Sequence, residues 1–183
     1  MGYSIALYLI DVTELERQVG SGDRDFLAEV IANNPDELEE EDDELSLRSA
    51  LEQLILGGER DPDEAHQYGY ALLEICEFLG ESAPIGDGGR TRWSIVEASG
   101  IAGLFDQSGP PLPLPPSDDF PTIGHLRHGE LGETAGRLEN FANAAPPSDD
   151  ELLSEEAEDL RDDFLAAAER GKEQGSSLVF FFY

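Results

Sequence analysis

Basic residues are scarce in this sequence. Lysine and arginine together number 11 against 41 aspartates and glutamates, so the 183-residue chain carries a formal net charge of −30. A surface of that sign repels phosphate backbones and anionic headgroups, which argues against direct binding to nucleic acid or to an anionic membrane. It suits a basic protein partner, or mimicry of a polyanion. It equally suits a saline habitat, where acidity is solvation and says nothing about partners.

Cysteine is scarcer still. Cys76 stands alone, which excludes an intrachain disulfide and a cysteine-based zinc site. With Leu72, Ile75 and Leu79 around it, it reads as a small core hydrophobe rather than a reactive thiol. No apolar run is long enough to span a bilayer. The first such run is short and has no basic lead of the kind a signal peptide carries. Met1-Gly2 opens like an acylation signal, but Ala6 stands where Ser or Thr is required. The expected location is therefore the cytoplasm. Hydrophobic content is only 39%, and the shortfall should sit in loops.

The apolar runs that do occur lie at the two ends, Tyr3–Ile10 and Ser177–Tyr183. Both are rich in β-branched and aromatic residues and read as strands with two apolar faces. Ile5, Leu7 and Leu9 would point one way, Ala6, Tyr8 and Ile10 the other. Leu178, Phe180 and Phe182 oppose Val179, Phe181 and Tyr183 in the same manner. Strands of that kind need cover on both faces. The expected fold is α+β: one domain over residues 1–183, a single central sheet that includes both chain termini, and amphipathic acidic helices as its cover.

Between the ends, helix signals recur. Asp11 with Glu14, and Ser148 with Glu151, have capping-box spacing. Asp23 opens a short helix with Phe26, Leu27, Val30 and Ile31 on one face. Leu45 to Ile55 follows helical spacing and is closed by Gly57-Gly58. Asp61-Pro62-Asp63-Glu64 starts a helix with a cap, a first-turn proline and acids at the positive end of the dipole. Gly69 falls inside that helix, where it costs about 1 kcal/mol against alanine, and a close approach by another backbone would explain it. Trp93–Glu97 reads as an internal strand beside the first. Gly124–Leu131 has no clear period, and Glu133–Phe141 reads as a weak helix. The longest helix runs from Asp149 to Glu173, with Leu153, Ala157, Leu160, Phe164 and Ala168 on one face. Two segments resist regular structure. In an acidic loop at about 35–44, eight of the nine residues Asp36–Glu44 are acidic, and like charges at that density repel. In a proline-rich strap at about 109–121, Leu112 and Leu114 sit among prolines as anchors into something apolar.

Chemical motifs are few. His125 and His128 are three apart with Glu130 nearby. On a helix such a pair could face one metal ion, but Gly124 and Gly129 flank it and His66, the third histidine, is remote. A low-prior polar site at His125, His128 and Glu130 is retained, with no metal or other cofactor expected. Asp36–Glu44 lacks the central glycine and ligand alternation of a calcium loop. Gly86–Arg90 is neither a Walker loop nor a Rossmann turn. Ser21, Ser99 and Ser108 lack a nucleophile-elbow context.

Four patches carry a resemblance. They are Met1–Asp11 with the short helix and Val19-Gly20-Ser21 after it, Tyr68-Gly69-Tyr70 with the helix around it, Phe120–Leu126, and the C-terminal order of an amphipathic helix, Gln174–Ser177 and an apolar last strand. Together they cover about half the chain and resemble uncharacterised bacterial proteins of the YfbM-like domain family. The acidic run and the strap depart from that small domain. The resemblance implies a compact α+β domain and brings no catalytic residue with it.

The expected function is a non-enzymatic, acidic protein-interaction module of the bacterial cytoplasm, in the manner of an immunity protein or antitoxin that binds a basic partner. Glu39, Glu40, Glu41, Asp42, Asp43 and Glu44 are the expected leading contact. A DNA-mimic inhibitor of a DNA-binding protein, using the acidic long helix, is one alternative. An enzyme with a histidine and carboxylate site is another.

Overall fold

The computed structural model describes residues 3–35, 38, 45–144 and 150–183. At its centre β1 (Tyr3–Ile10) and β5 (Ser177–Phe182) run antiparallel, with Leu7 opposite Phe180 and Leu9 opposite Leu178. β4 (Thr122–Leu126) pairs with the far side of β5. β2 (Glu81–Ala83) and β3 (Arg90–Thr91) pair with the far side of β1. The resulting order is β2-β1-β5-β4, with β3 beside β1. The two terminal runs are thus the inner strands, as their lack of a polar face requires.

Alternation along these strands divides the core in two. Tyr8, Ile10, Ile123, Val179 and Phe181 face a layer built by α1 (Val12–Gln18), α2 (Arg24–Asn33), α3 (Leu47–Leu56) and α4 (Ala65–Leu79). Ile5, Leu7, Leu9, Leu178, Phe180 and Phe182 face a layer built by α5 (Trp93–Ser99), α6 (Ala102–Ser108), α7 (Leu131–Ala144) and α8 (Glu151–Gln174). The N-terminal helices cover one face of the sheet and the later helices the other. Phe180, Phe181 and Val179 are all fully buried, and each such side chain contributes about 1.5–3 kcal/mol by leaving water.

Capping explains where the helices begin. The Asp11 carboxylate accepts the Thr13 and Glu14 amides at 2.9 and 3.4 Å. Glu14 does not complete a box; its carboxylate turns outward to Arg17 and Gln18. Asp23 caps α2, Ser46 caps α3, and Gly57 ends α3 in the left-handed region at φ 85°. Asp61 caps a 3-10 turn, Pro62–Glu64, that leads into α4. α8 is capped by Asp150, whose side chain accepts the Leu153 amide at 3.1 Å. Its start therefore lies two residues beyond the box expected at Ser148, which is outside the described residues.

Two local expectations fail. Trp93–Glu97 is not a strand but the first part of α5. Its Ile95, Val96 and Ser99 are buried at helical spacing, and Gly100, at φ 87°, ends the helix. The strand beside β1 is the preceding Arg90-Thr91. A short apolar run cannot by itself distinguish the two periods. Residues 124–131, expected to be irregular, hold most of β4 and then a 3-10 turn, His128–Glu130.

Cys76 lies in the α4 layer with no exposed surface, and burial pushes its thiol far above the ordinary range. The native protein is expected to resist a thiol reagent such as Ellman's. Labelling should appear only across the unfolding transition, and fast labelling of the native state would contradict this packing.

Candidate functional site

The strap closes over the edge of the first helical layer. Leu112 is buried in that layer and Leu114 packs partly against it. The Arg60 guanidinium donates to the Pro113 carbonyl, which pins the strap from outside. Beneath the strap lies a cavity of about 400 Å³, bounded by the start of α4, by Leu114–Asp119 and by Pro121–Ile123. Gly69 is explained here. A Cβ on it would sit 2.8 Å from both Cγ and Cδ of Pro121. The close neighbour is thus a proline ring rather than a bare backbone. His66 lines the same cavity together with Asp118 and Asp119. Tyr70, next to Gly69, has its phenol raised above its ordinary range by burial and then by the Asp119 charge.

A second cavity, of about 340 Å³, lies at the outer edge of β4, between α6 and α7. β4 is the last strand on its side, and its exposed edge is covered by the end of α6. The Ser108 hydroxyl accepts the His125 amide at 3.0 Å and donates to the Leu104 carbonyl at 2.8 Å. The Gly109 carbonyl lies 2.9 Å from His125 Nδ1. A carbonyl can only accept, so Nδ1 carries the proton and the neutral ring keeps its lone pair on Nε2. His125 and Glu130 both line this cavity, with Glu133, Arg137 and Gln107. The Glu130 carboxylate accepts the Arg127 amide at 2.7 Å, and Arg137 donates to the Gln107 side chain rather than to a carboxylate.

The structure therefore brings His125 and Glu130 together but not His128. His125 is on a strand and His128 on the following 3-10 turn, so their spacing does not form a helical face. The His128 amide donates to Ser177 Oγ, and its ring Nε2 lies 3.3 Å from the Lys172 carbonyl near the end of α8. His66 belongs to the strap cavity. Among the described residues, no three His, Cys, Asp or Glu side chains gather so that they could hold a metal ion. Glu39, Glu40, Glu41, Asp42, Asp43 and Glu44 lie outside the described residues. Leu38, within the same acidic stretch, is buried.

Among the described residues, one row of acids runs along α8. Glu151, Glu155, Glu158, Asp162, Glu169 and Glu173 are all exposed. Their spacing of three, four or seven residues keeps them on one side of the helix. At about 1.5 Å per residue they form a ridge ~33 Å long. Ala157, Leu160, Phe164 and Ala168 on the opposite side are buried against the sheet. Lys172 pairs with Glu169 at 2.6 Å, an exposed contact that offsets little of the ridge's charge.

The sequence did not single out Gly109, Glu133 or Arg137, nor the part played by Asp118 and Asp119, and Ser108 was weighed only as a nucleophile and not as the partner of His125. These residues reach their sites only through tertiary packing. The mid-helix glycine and the leucines set among the strap's prolines were the local signals that pointed to the strap cavity.

The fold defines a class, an antiparallel sheet with helices on both faces and its two termini as inner strands. Within that class the chain belongs to a domain family of unknown function, DUF7691, whose model matches residues 1–183. No curated protein and no solved structure matches the chain. No helix among the described residues is long and apolar enough to cross a membrane.

Proposed function

We propose that this protein is an acidic interaction module of the bacterial cytoplasm that binds a basic protein, in the manner of an immunity protein. The observation that carries the reading is the α8 ridge. Its six exposed carboxylates lie on one side of a helix whose other side is fixed to the sheet. A rigid row of like charges steers an oppositely charged surface into register and raises the rate of encounter. Glu39–Glu44 contribute six further negative charges to the chain. Kinship with YfbM-like domains belongs to the same proposal and rests on the sequence resemblance of the terminal runs and of the Tyr68-Gly69-Tyr70 patch.

The test is affinity capture from lysate of the source cell, at low and at high salt, using the wild type and a ridge variant, E151Q/E155Q/E158Q/D162N. One stoichiometric basic partner, held by the wild type at low salt and lost by the variant, supports the proposal. A partner held equally by both, or none at all, removes it. Displacement of the captured protein by DNA would instead favour the DNA-mimic reading.

One observation favours a second reading. His125 has its proton fixed on Nδ1 by the Gly109 carbonyl and shares a cavity with Glu130 and Glu133. That arrangement is how a general base is oriented. An enzymatic role would require the cavity to bind a substrate, and H125Q would then abolish turnover without loss of fold.

A further inference from the structure

The strap cavity combines three properties. Its walls are rigid. Pro115, Pro116 and Pro121 each have φ fixed by the ring, and the strap is held at Leu112 and at the Pro113 carbonyl. These restraints limit how far the strap can settle inward. Its lining is largely apolar, from Ala65 and Leu114 to Ile123. Its polar lining is Asp118 and Asp119, both exposed, with Ser117, Thr122 and His66, and no arginine or lysine is among them. The Ser117 hydroxyl accepts the Asp119 amide at 3.1 Å, and Asp119 Oδ1 accepts the Phe120 amide at 2.8 Å, so the rim has a defined conformation.

We propose that the cavity beneath the proline strap receives an arginine side chain from the basic partner. The proposal rests on the reading above and names the anchor that the partner inserts. The chemistry follows from the lining. An arginine stem is apolar and flexible and lies along proline and leucine surfaces while its head stays near water. The guanidinium is planar and more weakly hydrated than an ammonium, so it is easier to bring against an apolar wall, and it donates to two carboxylates at once. The cavity, about 400 Å³, is large enough for one such side chain. The ridge on α8 would supply long-range attraction, and the strap cavity would supply the fixed point that selects a partner.

The test needs no partner. Acetyl-Gly-Arg-Gly-amide is titrated into the full-length 15N-labelled protein at pH 7.5, beside the same peptide with citrulline in place of arginine. Citrulline keeps the shape and removes the charge. The arginine peptide should give saturable amide shifts confined to residues 65–70 and 117–123. The citrulline peptide should bind at least tenfold more weakly. D118N/D119N, which keeps the oxygen acceptor on the Phe120 amide, should abolish that preference while the rest of the spectrum stays unchanged. Equal binding of the two peptides would overturn the proposal, as would arginine-specific shifts confined to α8 or a preference that survives D118N/D119N. Such a failure leaves the ridge reading standing, because the capture experiment depends on α8 and not on this cavity.

Discussion

Phe180→Ala is expected to destabilise the protein by about 3–5 kcal/mol, the range for a phenylalanine emptied from a packed core. The side chain has no exposed surface. Its ring meets Phe105 edge-on at 4.8 Å and Phe164 at 5.3 Å, so it joins β5 to α6 and α8 at once. Aromatic pairs of this geometry add about 0.5–1.5 kcal/mol beyond their buried area. Phe180 also stands opposite Leu7 on one side and Gly124 on the other, so its loss is felt across three strands. Urea unfolding followed by circular dichroism gives the value. A loss below 1 kcal/mol would mean that this ring does not occupy the centre of the second layer.

Gly124→Ala should produce the second large effect. A Cβ at Gly124 would lie 2.2 Å from Cε2 and 2.4 Å from Cζ of Phe180, distances that real atoms do not adopt. Either the ring or the strand must move, and overpacking of this kind typically costs about 1–3 kcal/mol. The two residues therefore share one volume, and their substitutions should not be additive. In the Phe180→Ala background the added methyl enters vacated space, and Gly124→Ala should cost much less than it does alone. A double-mutant cycle reads this directly. Full additivity would show that Gly124 and the Phe180 ring do not touch.

The architecture could be read from Tyr3–Ile10 and Ser177–Tyr183 because each run is apolar on both faces, and only an inner strand covered twice satisfies that pattern. The assignment of Leu7 and Phe180 to one face and of Tyr8 and Phe181 to the other followed from the period of two. Trp93–Glu97 was misread because its five residues suit either period, and the deciding contact, the packing of α5 on α8, is remote in sequence. β4 escaped notice because Gly124 and His125 interrupt its apolar pattern. Gly124 is there to leave room for Phe180, and His125 is there to meet Gly109. Gly69 announced a close approach without naming its partner, since Pro121 lies 52 positions further along the chain. The His125–Glu130 cavity and the acidic rim of the strap are assembled from separate elements, and no spacing rule connects Ser108 to His125 or His66 to Asp118. The charge of −30 was plain from composition, but the alignment of six of its carboxylates in a row required the orientation of α8.

The acidity is proposed to attract a particular basic partner. The most direct measurement of this is the association rate constant for the captured partner as NaCl rises from 10 mM to 500 mM. The Debye length then shrinks from about 30 Å to about 4 Å. Steered association should slow by at least tenfold over that range for the wild type, while the rate for the E151Q/E155Q/E158Q/D162N variant, which keeps the rest of the acidic surface, should begin lower and fall less steeply. A wild-type rate that is unchanged by salt, or that the variant reproduces, would contradict the account.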